Sequence, residues 1–591
     1  MTAHQIIVSI VLAAMVVLLY SRKLSPPVIF IGAASVLVLS GILSPGESLA
    51  GFGNEAIAVM LMLLVMSQVV WKTGFVQWIF LSVIRPSSRY RGFLGQMMPF
   101  VGASSAFMNN TPVVAMMIPF VDQWGRQHHV QASKLLMPLS WAAMLGGMVT
   151  LIGTSTNMIV NSLVIQQGGE SLSILDFTPV GLMVFTAGMA YVLLAGYRTF
   201  PARKNPYDRL SESPREYMTD LVVDSGSPLA GKTVEEASLR SLKHLFLIEI
   251  IRGDRVIAPV TPKERLREGD RLFLAGRTDA VAEMVENREG LSLGGSVTLP
   301  SAEEVHVVEA VVSQGSTLSG VTVRDSNFRG RYDAAILGVH RHGRKLAGKI
   351  GDIVLESGDL LLLVTGSDFS NTAAASGMTD FYVVSRIRQI HNIELGKSVF
   401  IVGSIFACIA LSIAGVVPLF ESLLGVTALF MALKITSPGE LKSMINLNVL
   451  AVAAFALAIG EAVRNTGLGG LLATTAVSAF EPLGPIGILA AVYLSTSILA
   501  EFVTTAAAAT IVFPFAAASA QLLGTDPTPF YLAVAYGAST SFITPVGYQT
   551  NLMIFGPGGY EATDYLKAGL PIKLICAATA ITGLSLVFHI G

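Results

Sequence analysis

The chain has 591 residues, of which 52% are hydrophobic and only 13% are charged, and its mean hydropathy is +0.63. A soluble domain carries about 25% charged residues, so this composition excludes an ordinary soluble protein and indicates that most of the chain lies in a membrane. The formal net charge is −1 and no long basic run is present, which gives no support to a nucleic acid partner.

The first apolar segment, Ile6–Tyr20, is predicted to be an uncleaved membrane helix with the N-terminus outside the cell. No basic region precedes it, no small-residue cleavage site follows it, and the positive charges of Arg22 and Lys23 come after it. Lys and Arg favour cytoplasmic loops, and the same rule predicts four further crossings in the first membrane repeat, residues 1–204. The five helices of this repeat are predicted near residues 5–20, 25–44, 55–80, 135–164 and 177–197.

Each half of the chain also contains a predicted re-entrant hairpin. Residues 92–120 are too short to cross twice, so we expect them to enter and leave the membrane on the cytoplasmic side. The second membrane repeat, residues 381–591, starts on the cytoplasmic side, and we expect it to be an inverted copy with a hairpin near 486–520 and its C-terminus outside. The match between Trp71-Lys-Thr-Gly74 and Arg464-Asn-Thr-Gly467 supports this repeat. Its helices are predicted near residues 398–416, 418–434, 446–464, 528–555 and 568–589.

The charged residues are concentrated in residues 205–380, which we predict to be a cytoplasmic insert. Ser227-Pro-Leu-Ala-Gly-Lys-Thr-Val234 recurs as Ser316-Thr-Leu-Ser-Gly-Val-Thr-Val323, and short β-branched or leucine-rich strands with Gly-Asp turns follow each copy. We therefore expect a small α+β domain used twice, near residues 218–285 and 303–375. These units resemble the C-terminal regulatory domain of TrkA-type potassium-uptake regulators. The resemblance implies a cytosolic role in binding a nucleotide or in holding a homodimer together.

Polar breaks interrupt apolar segments at matching places in the two halves. Asn109-Asn110-Thr111-Pro112 and Gly153-Thr-Ser-Thr-Asn157 lie in the first half, and Thr504-Thr505 and Thr544-Pro-Val-Gly-Tyr-Gln-Thr-Asn551 lie in the second. Backbone that is not helical at membrane depth is tolerated where it lines a cavity or is buried in protein. Paired breaks of this kind indicate the substrate and ion site of a secondary transporter.

The breaks offer ligands for a cation and an anion side by side. Unwound carbonyls and the oxygens of Asn and Thr suit Na⁺, while helix N-termini favour an anion without Lys or Arg. Glu501 is a candidate carboxylate for binding a coupled proton or cation. Alternatively, it lies at a helix end and faces water. Asn110 and Asn157 could also simply join packed helices. The predicted sodium ligands are Asn110, Gly153, Asn157, Thr504, Thr544, Gly547 and Asn551. The predicted substrate-binding residues are Asn109, Asn110, Thr111, Thr156, Thr504, Thr505 and Thr550.

With these motifs the chain resembles the divalent anion/sodium symporter family of the ion-transporter superfamily, over both membrane halves. Family members carry Ser-Asn-Thr at each hairpin tip, where this chain has Asn109-Asn110-Thr111 and Thr504-Thr505-Ala506. The resemblance implies an inverted-repeat transporter in the cell membrane that moves a small dianion with Na⁺ by alternating access. Members with paired TrkA-type domains look most like sulfate transporters, so sulfate is the first expectation.

Several other functions stay open at this stage. A dicarboxylate symporter and an efflux permease for arsenite or silicic acid share the superfamily. A Na⁺/H⁺ exchanger would need ionisable residues at the membrane midplane, and Glu501 is the obvious candidate. A regulated cation channel is suggested by Val546-Gly547-Tyr548, although Pro545 interrupts the run of carbonyls that a selectivity filter needs. We do not expect an enzyme or a metal site other than for Na⁺.

Overall fold

The protein is described by a computed structural model that places most of both helical halves of the chain and the strands between them. Arg22, Lys23 and most of the segments that join the insert to the membrane repeats lie outside the described residues. The described residues are 1–21, 24–83, 89–203, 218–237, 239, 245–253, 255–257, 260–261, 263–276, 290–293, 307–313, 316–341, 344–346, 350–365, 369, 380–383, 395–445, 447–480 and 484–590.

The structure is that of a polytopic helical membrane protein. The helices of the first half are α1 (Ala3–Ser21), α2 (Pro26–Leu39), α3 (Pro45–Leu49), α4 (Glu55–Thr73), α5 (Phe75–Val83), α6 (Tyr90–Phe107), α7 (Asn110–Gln127), α8 (Ser133–Gly147), α9 (Ser155–Gln166) and α10 (Thr178–Leu194). The insert contains α11 (Phe328–Tyr332). The second half contains α12 (Leu395–Ile413), α13 (Leu419–Ala432), α14 (Pro438–Met444), α15 (Leu447–Thr466), α16 (Leu468–Phe480), α17 (Gly484–Phe502), α18 (Thr505–Leu523), α19 (Thr528–Ser539), α20 (Gln549–Phe555) and α21 (Ala562–Val587). Among the described residues, seven helices are long and apolar enough to cross a membrane, namely α1, α4, α12, α15, α17, α18 and α21.

Several helix boundaries differ from the sequence predictions. The predicted helix 55–80 is two helices, because Gly74 adopts the left-handed region with φ of 68° and ends α4. Gly467, with φ of 69°, separates α15 from α16 in the same way. Each predicted hairpin is a pair of helices that meet at a polar tip, and the helices of 18 or 19 residues extend beyond the predicted bounds. Whether these pairs re-enter the membrane stays a prediction.

Close backbone contacts at glycine hold the hairpin helices against the helices that follow them. In the first half, a Cβ on Gly146 of α8 would lie 2.2 Å from the carbonyl oxygen of Gly102 in α6. In the second half, a Cβ on Gly537 of α19 would lie 2.6 Å from the carbonyl oxygen of Tyr493 in α17. Small residues allow helices in a membrane to approach closely. These contacts fix each hairpin beside the unwound segment that follows α8 or α19.

An identical tetrapeptide begins a short helix in each half. Ser44-Pro-Gly-Glu47 and Ser437-Pro-Gly-Glu440 each form a capping box, in which Ser and Glu satisfy the free N–H groups of α3 and α14. The two acidic residues have reciprocal partners: Lys72 Nζ lies 3.1 Å from Glu440 Oε1, and Asn465 Nδ2 lies 3.3 Å from Glu47 Oε1. Each half thus contacts the other through the equivalent residue of a repeated motif.

The insert contains two antiparallel sheets with the same strand order. Their orders are β3-β2-β4-β1-β5 and β8-β7-β9-β6-β10. A bulge interrupts the same strand pair in each sheet, between Leu247 and Glu249 and between Ile336 and Gly338. The strands are β1 (Met218–Val223), β2 (Leu245–Arg252), β3 (Arg255–Ile257), β4 (Arg271–Gly276), β5 (Leu291–Leu293), β6 (Val307–Val312), β7 (Ala334–Arg341), β8 (Arg344–Lys345), β9 (Leu360–Thr365) and β10 (Phe381–Val383). Strands β5 and β10 extend each sheet past the predicted unit ends at residues 285 and 375. The TrkA-type assignment stays a prediction.

The second sheet of the insert contacts the membrane half at α20. A Cβ on Gly556 would lie 2.8 Å from Leu360 Cβ, and a Cβ on Gly358 would lie 2.5 Å from Leu552 Cδ1. Leu360 is fully buried and belongs to the main hydrophobic core of the membrane helices. The insert is therefore packed directly against the short helix that follows the second polar break.

Candidate functional site

The first break is an unwound turn between α8 and α9 that an asparagine side chain holds in place. Asn157 Nδ2 donates to the carbonyl oxygens of Gly147, at 3.3 Å, and Thr150, at 2.9 Å. Thr150 Oγ1 donates to the carbonyl oxygen of Ala106 at the end of α6. The turn is thereby fixed to the hairpin, and its orphan carbonyls are satisfied without a helix.

The second break, between α19 and α20, has the same hydrogen bonds. Asn551 Nδ2 donates to the carbonyl oxygens of Ser541, at 2.8 Å, and Thr544, at 3.5 Å. Thr544 Oγ1 donates to the carbonyl oxygen of Glu501 at 2.9 Å, as Thr150 does to Ala106. The two breaks are therefore two copies of one local structure, each tied to its own hairpin.

Glycine is required at the same place in both turns because the hairpin backbone approaches there. A Cβ on Gly153 would lie 2.5 Å from the carbonyl oxygen of Gly147 and 2.9 Å from that of Ser105. A Cβ on Gly547 would lie 2.0 Å from Ser541 Oγ and 2.4 Å from the carbonyl oxygen of Ala500. No other residue fits without moving the turn away from the hairpin.

The hairpin tip of each half meets the break of the other half. Asn110 Nδ2 lies 2.6 Å from the Tyr548 hydroxyl, and Thr111 Oγ1 lies 3.1 Å from Gln549 Oε1. The reciprocal contact joins Thr156 Oγ1 to Thr505 Oγ1 at 2.9 Å. Helices α7, α9, α18 and α20 all begin at these residues. Four helix N-termini, each with a partial positive charge, are thus gathered around side chains that are all neutral.

Three buried oxygens near the first break have no hydrogen-bond donor among the residues that the structure describes. They are Ser105 Oγ, Asn110 Oδ1 and Asn157 Oδ1. The Asn110 side chain lies against Gly147, where a Cβ would be 2.7 Å from Asn110 Oδ1, and Asn157 is bonded to the same residue. Buried polar atoms without a partner are rare, and a bound ion or water is one explanation for them. Oxygen atoms from amide and hydroxyl groups are the donors that a hard cation such as Na⁺ prefers.

The second break differs because an ion pair fills it. Glu501 is 2% exposed, and its Oε1 lies 2.7 Å from Nζ of Lys573, which is 8% exposed. Glu501 Oε2 accepts from Ser541 Oγ at 2.9 Å and from the Thr544 N–H at 3.0 Å. The alternative that Glu501 faces water is therefore wrong, since its carboxylate is buried and fully bonded.

The structure brings together most of the predicted substrate residues, but it places two of them differently. Asn110, Thr111, Thr156, Thr505 and Thr550 all make contacts between the two halves. Asn109 and Thr504 instead cap the helices α7 and α18 through the N–H groups of Thr111 and Ala507. Asn109 also lines a small pocket with Ser67, Ile152 and Ser155.

Other residues of the site were missed from the sequence. Tyr548 was interpreted as part of a filter-like tripeptide, and its hydroxyl instead bonds Asn110 and, at 3.2 Å, Thr154 Oγ1. Ser140 was not considered, and its Oγ lies 2.8 Å from both Thr550 Oγ1 and Asn551 Oδ1. Lys573 was missed as well. The signal was available, because a lysine inside an apolar helix of 26 residues marks a functional position in a membrane protein.

Comparison with known proteins agrees with a transporter fold. The family model described as citrate transporter matches residues 16–537. The chain is 32% identical to an uncharacterized transporter of Synechocystis sp. over 92% of this chain and 90% of that protein. It is 33% identical to a putative sulfur deprivation response regulator of Chlamydomonas reinhardtii over 93% and 96% of the two chains. It is also 22% identical to sodium/sulfate cotransporter 1 of the same alga, over 90% and 84%. The chain belongs to the citrate transporter family.

Proposed function

We propose that this protein is a secondary transporter that couples the uptake of a small dianion, with sulfate as the first candidate, to Na⁺. The proposal is carried by one observation, the meeting of four helix N-termini beside three buried oxygens that have no donor. The helix ends provide positive potential for an anion, and the oxygens provide ligands for a cation. An anion and Na⁺ bound side by side reduce each other's desolvation cost, which couples their binding.

Na⁺ binds at the first break in this proposal. Asn110 Oδ1, Asn157 Oδ1 and Ser105 Oγ are its side-chain ligands, and the unwound backbone near Gly153 lies within the same small volume. The amide nitrogen of Asn157 holds the turn together while its oxygen faces the ion. The two roles suggested by the sequence, helix joining and ion binding, are thus combined in one side chain.

The anion binds where the two hairpin tips meet the opposite breaks. Its oxygens accept hydrogen bonds from N–H groups at the helix starts and from the hydroxyls of Thr111, Thr156, Thr505 and Tyr548. The reciprocal contacts between halves fit two repeats related by a two-fold axis. With the repeats inverted across the membrane, rocking or sliding of the hairpins past the rest would open the site to each side in turn.

Sulfate is favoured over a carboxylate by both the contacts and the relatives. Sulfate is compact and accepts hydrogen bonds in every direction, whereas Arg is the usual partner of planar carboxylates, and no Arg takes part in the described contacts between tips and breaks. Relatives with 22% and 33% identity carry sulfate and sulfur deprivation in their names. Citrate or a dicarboxylate is the second candidate, since the matching family is described as citrate transporter.

The proposal also includes the membrane topology and the position of the insert. The protein spans the cell membrane with both termini outside and with the insert in the cytoplasm, where it regulates transport or supports a homodimer. Apolar side chains that are exposed on the outer helices, such as Ile10, Val17 and Leu39, fit contact with lipid. The packing of the insert on α20 gives it a direct route to the site.

Labelled sulfate uptake into proteoliposomes tests the function. We expect concentrative uptake under an inward Na⁺ gradient, with competition by thiosulfate and weaker competition by citrate and succinate. Na⁺-dependent uptake of citrate or succinate without sulfate would change the substrate and keep the symporter. Uptake independent of Na⁺, or an uncoupled current, would refute the proposal in favour of a permease or channel, and Na⁺-driven proton movement without any anion would favour an exchanger.

Asn157→Ala tests the cation site, and Asn161→Ala is its matched control. Asn161 is one turn further along α9, is equally buried and bonds the loop residues Ser171 and Leu172 instead. Loss of one oxygen that contacts a charge costs about 1.5–3 kcal/mol, so the half-saturating Na⁺ concentration should rise at least about tenfold in Asn157→Ala. An equal rise in Asn161→Ala would show that general destabilisation is responsible.

A further inference from the structure

The two breaks have the same backbone structure but differ at one hairpin residue, the one whose carbonyl oxygen accepts the hydrogen bond from the threonine hydroxyl of the break. This residue is Ala106 in the first half and Glu501 in the second. The carboxylate of Glu501 extends over the turn, where it accepts from Ser541 Oγ, from Thr544 N and Oγ1, and at 3.3 Å from the Ile543 N–H. The second break therefore contains a negative charge, that of Glu501, which the first break lacks.

The matching difference lies on the helices that cover the hairpins, α10 and α21. In the first half the ring of Phe185 covers Gly102, where a Cβ would lie 2.2 Å from ring atom Cε2. In the second half Lys573 occupies this place, and its Nζ lies 2.9 Å from the carbonyl oxygen of Ser497. Gly102 and Ser497 each precede their hairpin residue, Ala or Glu, by four positions. A positive charge has thus been added in the second copy together with the negative one.

The ammonium group of Lys573 is surrounded by oxygen atoms, as a bound metal cation would be. Its three acceptors are Glu501 Oε1 at 2.7 Å, the carbonyl oxygen of Ser497 at 2.9 Å and that of Thr540 at 3.2 Å. These account for its three N–H groups. Asn551 Oδ1, the counterpart of the free Asn157 Oδ1, accepts from Ser140 Oγ at 2.8 Å. The cation and the asparagine oxygen of the second break therefore have partners within the protein, whereas the Asn157 oxygen of the first break has none among the described residues.

We propose that Lys573 supplies the cation of the second break, so that Na⁺ binds only at the first. Thr504, Thr544, Gly547 and Asn551, all in the second half, are among the sodium ligands predicted from the sequence. An ammonium group fixed beside these residues repels a second Na⁺, and the buried carboxylate of Glu501 is already neutralised by it. This inference rests on the proposed function, and it adds that the number of coupled Na⁺ ions is one fewer than two equivalent breaks would give.

The wild-type protein provides the first test. Initial rates of ²²Na⁺ and ³⁵S-sulfate uptake are measured on the same proteoliposomes, together with the Na⁺ dependence of sulfate uptake. We expect one Na⁺ per sulfate and a Hill coefficient of about one. A ratio and a Hill coefficient near two would overturn the inference while leaving the proposed symporter intact. Absence of Na⁺-dependent uptake of any anion would instead overturn the proposed function.

Lys573→Met provides the second test, because it leaves the Glu501 carboxylate without its cation. We expect a second Na⁺ to take the place of the ammonium group, so that the Hill coefficient rises towards two and the half-saturating Na⁺ concentration increases. The double variant Lys573→Met/Glu501→Gln removes both charges and should return the Hill coefficient to about one. Lys567→Met, on the exposed surface of the same helix, is the control and should behave as wild type.

Unchanged Na⁺ dependence in a folded Lys573→Met protein would contradict the inference. If that variant does not fold, the flux ratio of the wild-type protein decides the question alone. A Hill coefficient that rises equally in Lys567→Met would also contradict it, because the effect would then come from surface charge and not from the ion pair.

Discussion

The hydroxyl group of Tyr548 offers the sharpest test of the anion site. It is buried where the first hairpin meets the second break, 2.6 Å from Asn110 Nδ2 and 3.2 Å from Thr154 Oγ1. Tyr548→Phe removes this one oxygen and keeps the ring that fills the space. A hydrogen bond to a charged ligand contributes about 1.5–3 kcal/mol, so we expect the KM for sulfate to rise about 10- to 150-fold.

The expected loss of stability is similar in size to the loss of affinity, so a matched control is needed to separate the two effects. Each neutral hydrogen bond contributes only about 0.5–1.5 kcal/mol to folding, so Tyr548→Phe should lower the free energy of unfolding by about 1–3 kcal/mol. Tyr536→Phe is the matched control, because its buried hydroxyl donates to the carbonyl oxygen of Phe177 at 2.6 Å, at the start of α10 and not at a hairpin tip. It should lose about 0.5–1.5 kcal/mol of stability for its one hydrogen bond, with an unchanged KM.

Two measurements separate these effects. Sulfate uptake is measured against sulfate concentration at saturating Na⁺, and thermal unfolding is followed with a thiol-reactive dye. Cys408 and Cys576 are both free and buried, so they react only when the protein opens. An unchanged KM in Tyr548→Phe, or an equal rise in Tyr536→Phe, would refute the assignment of the anion site to the meeting point of tips and breaks.

Two further substitutions test the packing around the site. Gly147→Ala would place a Cβ 2.7 Å from the Asn110 side-chain oxygen and nitrogen, so the half-saturating Na⁺ concentration should rise about tenfold or more. Gly32→Ala is the control and should have no effect, because no atom lies within 4 Å of its Cβ. Equal effects of the two substitutions would contradict the cation site. Leu360→Asp buries an unpaired carboxylate where the insert packs against Gly556. It should therefore lower stability by roughly 3–5 kcal/mol and slow transport, as measured by dye unfolding and uptake. Unchanged unfolding would show that the insert is not held there.

The polar breaks could be predicted from the sequence because their signal is local. Asn, Thr, Gly and Pro interrupt runs that are otherwise apolar, and a helix in a membrane tolerates such residues only where other groups satisfy the freed backbone. Asn157 and Asn551 both lie at predicted breaks, and both bond the carbonyls of an unwound turn. The predicted hairpin tips at Asn109 and Thr504 also coincide with helix starts.

The partners across the site could not be predicted, because they depend on how helices far apart in the sequence pack. Asn110 and Tyr548 belong to different halves, and nothing near either residue indicates that their side chains meet. Lys573 is on the last helix and binds Glu501 at the end of α17. Sequence position shows that each charge is unusual in an apolar segment, but it does not show that the two neutralise each other.

Duplication explains both the common structure of the breaks and the difference between them. Two copies of one turn begin with the same backbone hydrogen bonds, and the reciprocal partners of Glu47 and Glu440 show how widely this correspondence extends. If one copy binds a cation from solution, the other copy does not need to. Charged side chains can then be introduced there only as a pair of opposite charges, because an isolated buried charge is strongly destabilising. Glu501 and Lys573 meet that condition, because each is the other's counter-ion. In the proposed transport cycle, the cation at the first break leaves with each turn, whereas the ammonium group at the second is covalently retained, and the proposed number of coupled ions follows from this difference.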